Sequence, residues 1–173
     1  LQTRPPDEVL LIDDMHGLPQ GLDHSNDYPI RTWRSPWHLG VGHAFNIGVA
    51  RAENDLVCML GADDELEPEC LQRCLATYEG HGREDAYYWV GVRYSDGRDD
   101  QYLPCNAAMV TKGLWRETGG FPVEAACGAP DCALVSILLV HVPDQLICVD
   151  GDRPLYRYRV HGGTDTAHRG GLQ

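Results

Sequence analysis

The sequence predicts an α/β protein in which helices flank a mostly parallel central sheet. In the first half of the chain, short continuous apolar runs alternate with segments of helical spacing, which is the pattern of strand–helix–strand units. Two of these runs end in paired acids, Asp13-Asp14 and Asp63-Asp64. Because ligands of such sheets bind beyond the carboxyl ends of the strands, the acids indicate an enzyme or a ligand-binding protein.

The elements of the first half are predicted from apolar spacing and from residues that start or stop helices. Residues 9–12 form a continuous apolar run, which is typical of a strand buried on both faces. A stretch rich in Gly, Pro and Asp follows, with room for one short strand. In order, the remaining elements are a helix over 41–52, a second buried strand over 56–60 and a helix over 68–79, with Pro68 at its first position.

The second half is predicted to continue with short strands and two helices. An aromatic and β-branched run over 86–94 predicts a strand that ends in a Ser95-Asp96-Gly97 turn. Thr111 is predicted to cap a short helix that Gly119-Gly120 ends. The other predicted elements are a strand over 107–110, a helix over 131–140 and strands over 146–149 and 155–160.

The composition bounds the partners and the cellular compartment. The 173 residues suit one domain, and a formal charge of −12 argues against broad binding to nucleic acid or an anionic membrane. No apolar run approaches the roughly 18 residues that a membrane-spanning helix needs. The seven cysteines are odd in number and contain no Cys-x-x-Cys pair, which indicates reduced thiols in a cytoplasmic protein. Their spacing does not favour a zinc site.

The acids after the second buried run have two interpretations. Adjacent carboxylates at Asp63 and Asp64 repel each other, and a divalent cation with a preference for oxygen ligands would remove that repulsion. Alternatively, the acids precede a predicted helix, whose dipole favours negative charge near its N-terminus. The pattern alone does not choose between a metal site and a helix terminus.

Four segments, taken in order, carry a family resemblance. They are the apolar run and its acids over 6–14, the Gly…Asn-x-Gly…Ala helix over 42–52 that leads into Asp63-Asp64, Gly119-Gly120-Phe121 followed by Asp131, and Tyr-Arg-Tyr-Arg-Val-His over 156–161. Together they resemble the family 2 glycosyltransferases of the GT-A fold. The resemblance implies a Rossmann-like, GT-A-like sheet in a single catalytic domain over 1–173. Its nucleotide and metal half would be about 1–80, and its acceptor half about 81–173.

The resemblance also implies an activity and a set of roles. The expected reaction moves a sugar from a nucleotide-sugar, with UDP the expected nucleotide, to an acceptor hydroxyl with inversion. Asp131 matches the general base that takes the acceptor's proton, and Mn²⁺ or Mg²⁺ would stabilise charge on the departing diphosphate. The implied metal ligands are Asp63, Asp64 and His161. The implied nucleotide-sugar contacts are Asp13, Asp14, Asn46, Asp63, Arg157 and Arg159.

Each of these residues also has a structural interpretation that the sequence leaves open. The alternatives are loop amides for Asp14, a helix N-cap for Asp131, a cap of local backbone for Asn46, a surface loop for His161, surface salt bridges for Arg157 and Arg159, and a core position for Trp115, which could otherwise stack on a sugar.

The chain departs from the family pattern in three places. Gly61 stands where many members carry a further Asp, and Pro130 replaces the usual acid before Asp131. The family's first strand and helix have no counterpart here, so either they lie on sequence outside these residues or the sheet is completed in another way, such as by another chain of an oligomer. The competing functions are a non-catalytic binding or assembly module and a nucleotidyltransferase, although no Lys-bearing Gly-rich loop is present. The acceptor stays open among saccharide, lipid, protein and a modified DNA base.

Overall fold

The computed structural model describes residues 2–15, 17–18, 28–100, 108–122, 130–151 and 153–160, with the backbone alone at Asp100 and over 130–132. Its strands are β1 Val9–Asp13, β2 Ile30–Arg34, β3 Leu56–Cys58, β4 Glu65–Leu66, β5 Tyr87–Trp89, β6 Gly91–Tyr94, β7 Asp99–Asp100, β8 Met109–Thr111, β9 Leu146–Cys148 and β10 Pro154–Tyr158. Its helices are α1 Val41–Arg51, α2 Cys70–Gly80, α3 Lys112–Thr118 and α4 Pro130–His141, and a 3₁₀ turn spans Pro143–Gln145. The predicted α/β class is confirmed.

The described strands form three sheets of mixed direction. One sheet is the parallel pair β1–β2, and the others run β4–β10–β6–β7 and β3–β8–β5–β9. The pairs β1–β2, β5–β9 and β6–β10 are parallel, and the other four pairs are antiparallel. The sequence predicts more parallel pairing than this. One antiparallel pair, β6–β7, is a hairpin that turns at Gly97, whereas β3–β8, β5–β8 and β4–β10 join strands that are not consecutive in the chain.

The core lies on both faces of β5. Tyr87 and Tyr88 follow each other along this strand, so their side chains point to opposite faces, and both are fully buried. Tyr87 packs in a cluster with residues of α1, α3 and α4, including Val49, Leu114 and Leu134. Tyr88 packs in the second cluster, which the helix α2 covers. Helices therefore flank this sheet, as the sequence predicts.

Most of the predicted elements are present, and the differences have local causes. Thr111 caps α3 by accepting from the Leu114 amide, and Gly119 ends that helix with a φ of 78°. The helix predicted from Pro68 begins at Cys70, because residues 67–70 form a turn in which the Pro68 carbonyl accepts from the Thr3 amide at 2.7 Å. The strand predicted over 86–94 divides at Val90, since β5 and β6 belong to different sheets.

The two strands predicted to be buried on both faces are only half-buried. Val9–Ile12 and Leu56–Cys58 keep partial exposure along their length, apart from the buried Asp13 that ends β1. Among the described residues, β1 pairs with β2 alone and β3 with β8 alone, so each strand has one edge without a ladder partner. The apolar composition of these runs predicts more burial than this pairing gives them.

The thiols whose side chains the structure describes differ in environment. Cys70 and Cys74 are buried on α2, Cys58 is half-buried and Cys148 is exposed. Burial raises the pKa of Cys58, and the hydrogen bond with Cys70, together with burial, raises the pKa of Cys74. Such thiols are poor nucleophiles at neutral pH. The cytoplasmic location stays a prediction. Over the part of the chain that the structure describes, no helix has the length and apolarity to span a membrane.

Candidate functional site

The acidic loop after β3 brings two carboxylates together over a glycine. The loop turns tightly, with the Asp64 amide donating to the Gly61 carbonyl at 3.2 Å. A Cβ at Gly61 would lie 2.8 Å from Asp64 Oδ2 and 3.2 Å from Asp63 Oδ1, so both carboxylates reach the space above this residue. The missing side chain at Gly61 is what leaves room for them. Two adjacent carboxylates are a donor set that suits Mg²⁺ or Mn²⁺, which take further ligands from phosphate and water.

Two residues at the end of the chain's final strand hydrogen-bond to the Asp64 carboxylate. The Tyr156 hydroxyl donates a short hydrogen bond to Asp64 Oδ2, and the Arg159 amide donates to Oδ1 at 2.9 Å. The strand reaches the loop because β10 pairs antiparallel with β4, which follows the acids directly. Sequence reasoning placed Tyr156 only on a strand face. The signal available for it was its place on the inward face of a strand within the same motif as Arg157 and Arg159.

The two arginines of the final strand pair with acids beside this loop. Arg157 Nε lies 2.6 Å from Glu67 Oε1, and the Arg159 guanidinium lies 2.8 Å from Glu65 Oε1. The hydrogen bond with Glu67 raises the pKa of Arg157. This arrangement is the surface salt-bridge alternative that the sequence left open. Exposed pairs of this kind contribute little to stability, so their role is in the alignment of β10 beside the acidic loop.

The acids that end β1 organise the loop that leads into α1. Asp13 is 3% exposed and accepts from the Gly17 amide at 2.9 Å and from Arg34 Nε at 2.7 Å. Asp14 accepts from the amides of Leu39 and Gly40 at 2.7 and 2.8 Å. The His38 ring also contacts Asp14, with Nδ1 2.8 Å from Oδ2. Asp14 therefore does bind loop amides, which was the structural alternative for it.

The loop between Asp14 and α1 also carries an exposed aromatic side chain that the sequence reasoning missed. Ser35 is 2% exposed, and its hydroxyl lies within hydrogen-bonding distance of the Trp37 amide and carbonyl. Trp37 itself is 63% exposed. The Pro-Trp-His sequence over 36–38 gave no helical or strand periodicity, so its place beside Asp14 became visible only in the structure.

Asn46 ties α1 to the Gly-Gly-Phe segment. Its Nδ2 donates to the Phe121 carbonyl and its Oδ1 accepts from the Phe121 amide, both at 2.9 Å. Asn46 thus caps a backbone 75 residues away, which neither of its predicted roles anticipated. Trp115 is 7% exposed and meets Phe121 edge-on at 5.5 Å, so it occupies the core rather than an open sugar platform.

Two of the predicted site residues have side chains outside the part of the chain that the structure describes. The backbone of Asp131 lies in the first turn of α4, and its side chain is outside the described part of the chain, as is all of His161.

The structure brings Asp63, Asp64, Arg157 and Arg159 together at one loop. It gathers Asp13 and Asp14 at another. Within the described ranges, no group of three His, Cys, Asp or Glu side chains has the arrangement of a metal site.

Comparisons with known proteins agree on one family and one fold. The family model described as "Glycosyl transferase family 2" matches residues 1–128. The structure of S. aureus TarS 1-349 in complex with UDP-GlcNAc is similar with a TM-score of 0.73 and 16% identity over 96% of this chain and 54% of that one. The structure of S. aureus TarS 1-349 in complex with UDP is similar with a TM-score of 0.71 and 17% identity over 93% of this chain and 54% of that one. No curated protein matches the chain. The chain spans about half the length of these TarS chains.

Proposed function

The chain belongs to glycosyl transferase family 2, and from that premise we propose that it transfers a sugar from a UDP-sugar to an acceptor hydroxyl with the help of a divalent cation. The observation that carries the proposal is the convergence of Asp63 and Asp64 over Gly61, in the loop between β3 and β4. The fold shared with TarS, which was solved with UDP and with UDP-GlcNAc, supports the choice of donor.

The acidic loop is the proposed cation site. Asp63 and Asp64 would hold Mn²⁺ or Mg²⁺, with His161 as a further proposed ligand, and the bound cation would neutralise charge on the leaving diphosphate. We also assign Arg157 and Arg159 to the diphosphate, because their ion pairs with Glu67 and Glu65 hold both guanidinium groups beside the acidic segment that follows β3. A small number of protein ligands is enough for this role, because substrate phosphates complete the coordination of such cations.

The nucleoside end of the donor is assigned to the acids of β1. Asp14 holds the amides of Leu39 and Gly40, and Asp13 holds Gly17 and Arg34, so the two acids shape the loops on either side. We assign Asp14 to the base, acting together with the loop that it fixes. Asn46 is assigned to the nucleotide-sugar site, where it would act through the Phe121 backbone to which it hydrogen-bonds.

Asp131 is the proposed general base. Inverting transfer needs a carboxylate that accepts the proton of the attacking hydroxyl. Asp131 lies in the first turn of α4, ten residues after Phe121, whose backbone Asn46 fixes to α1. The acceptor is a hydroxyl-bearing molecule, and its class stays open among saccharide, lipid, protein and modified DNA base.

The proposal is tested by thermal unfolding with UDP, with Mn²⁺, and with both together. A ligand at 100 times its dissociation constant stabilises the folded state by about 2.7 kcal/mol, which corresponds to a rise of several degrees for a chain of this size. We expect a clear rise with UDP plus Mn²⁺ that exceeds the effect of either alone. No response to any nucleoside diphosphate with metal would favour a binding or assembly module. A response to triphosphates alone would favour a nucleotidyltransferase.

A further inference from the structure

We infer that Tyr156 is a positioning residue that fixes the Asp64 carboxylate for cation binding. This inference rests on the proposed function, since it concerns the same acidic loop. It adds a role for the final strand that the family resemblance does not assign. The resemblance selected the arginines and the histidine of the Tyr-Arg-Tyr-Arg-Val-His segment, whereas the structure points to the tyrosine whose hydroxyl reaches the acid.

The Tyr156 side chain is held firmly by its surroundings. It is 1% exposed and belongs to the buried cluster that also contains Leu155, Val92 and Cys70. The strand around it is paired on both sides, with β4 on one edge and β6 on the other. A ring buried in this way has little freedom to turn, so its hydroxyl is delivered to one place. Buried hydroxyls need a hydrogen-bond partner, and here the partner is Asp64 Oδ2.

Asp64 is constrained through both carboxylate oxygens. Tyr156 holds Oδ2, and the Arg159 amide holds Oδ1 at 2.9 Å, so the two contacts come from residues three apart on one segment. Oδ2 also lies close over Gly61, where a Cβ would approach it to 2.8 Å, so this orientation of the carboxylate needs a glycine at that position. The carboxylate is therefore oriented before a cation arrives. Outer hydrogen bonds of this kind typically contribute 10–100-fold to metal affinity.

The ion pairs on either side keep the donor groups in register. Arg157 pairs with Glu67 and Arg159 with Glu65, which ties β10 to β4 at the level of the acids. Because the hydroxyl and the amide both come from this strand, its register decides where Asp64 points. A change that removes only the Tyr156 hydroxyl isolates the positioning contact from the pairing of the strands.

The test is Mn²⁺ affinity in the presence of UDP, measured by calorimetry on the full chain and on two matched variants. Tyr156→Phe removes the hydroxyl at Asp64. Tyr78→Phe removes a hydroxyl from the same buried cluster on α2, away from the acidic loop. We expect Tyr156→Phe to weaken Mn²⁺ binding about 10–100-fold and Tyr78→Phe to leave it within about twofold. UDP affinity without metal should be the same in all three proteins.

Other outcomes separate the inference from the proposed function. Equal Mn²⁺ affinity in Tyr156→Phe and the wild type, or equal losses in both variants, would overturn the positioning role while leaving the cation site in place. A wild type that binds no Mn²⁺ with UDP would contradict the proposed cation site itself, and the positioning role with it. Should Tyr156→Phe not fold, Gly61→Ala tests the same point, because its Cβ must displace Asp64 Oδ2. Unchanged Mn²⁺ affinity in that variant would then overturn the inference.

Discussion

Gly119 and Gly120 are adjacent, share a left-handed backbone, and differ in the space around them. Their φ values are 78° and 70°. A Cβ at Gly119 would meet no atom within 4 Å, whereas a Cβ at Gly120 would lie 2.4 Å from Asn46 Oδ1 and 2.5 Å from Trp115 Nε1. Substitution by alanine therefore imposes the same backbone strain at both positions. Only at Gly120 does it also force apart the contact between α1 and the Phe121 segment.

The expected magnitudes follow from those two effects. A left-handed alanine costs about 1–2 kcal/mol, and this is the whole expected effect of Gly119→Ala. Gly120→Ala adds the loss of the two hydrogen bonds between Asn46 and the Phe121 backbone, at about 1 kcal/mol each. We therefore expect Gly120→Ala to lower the free energy of unfolding by about 2 kcal/mol more than Gly119→Ala. For a chain of this size, that is about 4–8 °C in Tm.

Urea unfolding of the two variants and the wild type, followed by circular dichroism, measures the difference. The control is Asn46→Ala alone and combined with Gly120→Ala, since the second change should then add only the backbone strain that Gly119→Ala also carries, once the Asn46 contact is already lost. Equal destabilisation by Gly119→Ala and Gly120→Ala would refute the reasoning. It would mean that the Asn46 contact does not hold the segment that leads toward Asp131.

Two further predictions concern the proposed base and acid stability. Asp131→Asn should leave UDP-sugar binding unchanged and stop transfer, as followed by product mass spectrometry; full transfer by this variant would remove Asp131 as the base. Burial raises the pKa of Glu8, but hydrogen bonds from the Glu53 amide, Arg31 and Asn54 outweigh it and hold that pKa below its ordinary value. Glu8 therefore contributes stability above its unfolded pKa and loses that contribution as the pH falls through the lowered folded pKa. The stability gap between the wild type and Glu8→Gln should be widest near pH 7 and narrow in acid, as measured by urea unfolding across a pH series. A gap that stays constant with pH would contradict this assignment.

The predictions that came true rest on short-range signals. Thr111 as a cap and Gly119 as a stop are properties of a few neighbouring residues, and the structure confirms both. The helix around Asn46 follows from apolar spacing over eleven residues, Val41–Arg51. The acids at the end of β1 also follow from local pattern, because an apolar run that stops at a polar pair is a local feature of the sequence. The second predicted strand ends earlier than predicted, at Cys58, so Asp63 and Asp64 lie in the loop after β3 rather than at its end.

The contacts that organise the candidate site are long-range, and no sequence pattern identifies which residues pair in them. Tyr156 and Asp64 are 92 residues apart, and Asn46 and Phe121 are 75 apart. Neither pair belongs to one periodic element, so only the folded chain identifies the partners. The break at Val90 is similar, because Gly91 interrupts the run there, but a glycine within a strand pattern does not indicate by itself that the strand changes sheets.

The most direct measurement of the central claim is UDP affinity with and without Mn²⁺, by calorimetry, for the wild type and for Asp64→Ala. If the acidic loop holds the cation that neutralises the diphosphate, Mn²⁺ tightens UDP binding in the wild type and has no effect in Asp64→Ala. The same gain from Mn²⁺ in both proteins would contradict the account, because the cation would then be held without the residue on which the site is built.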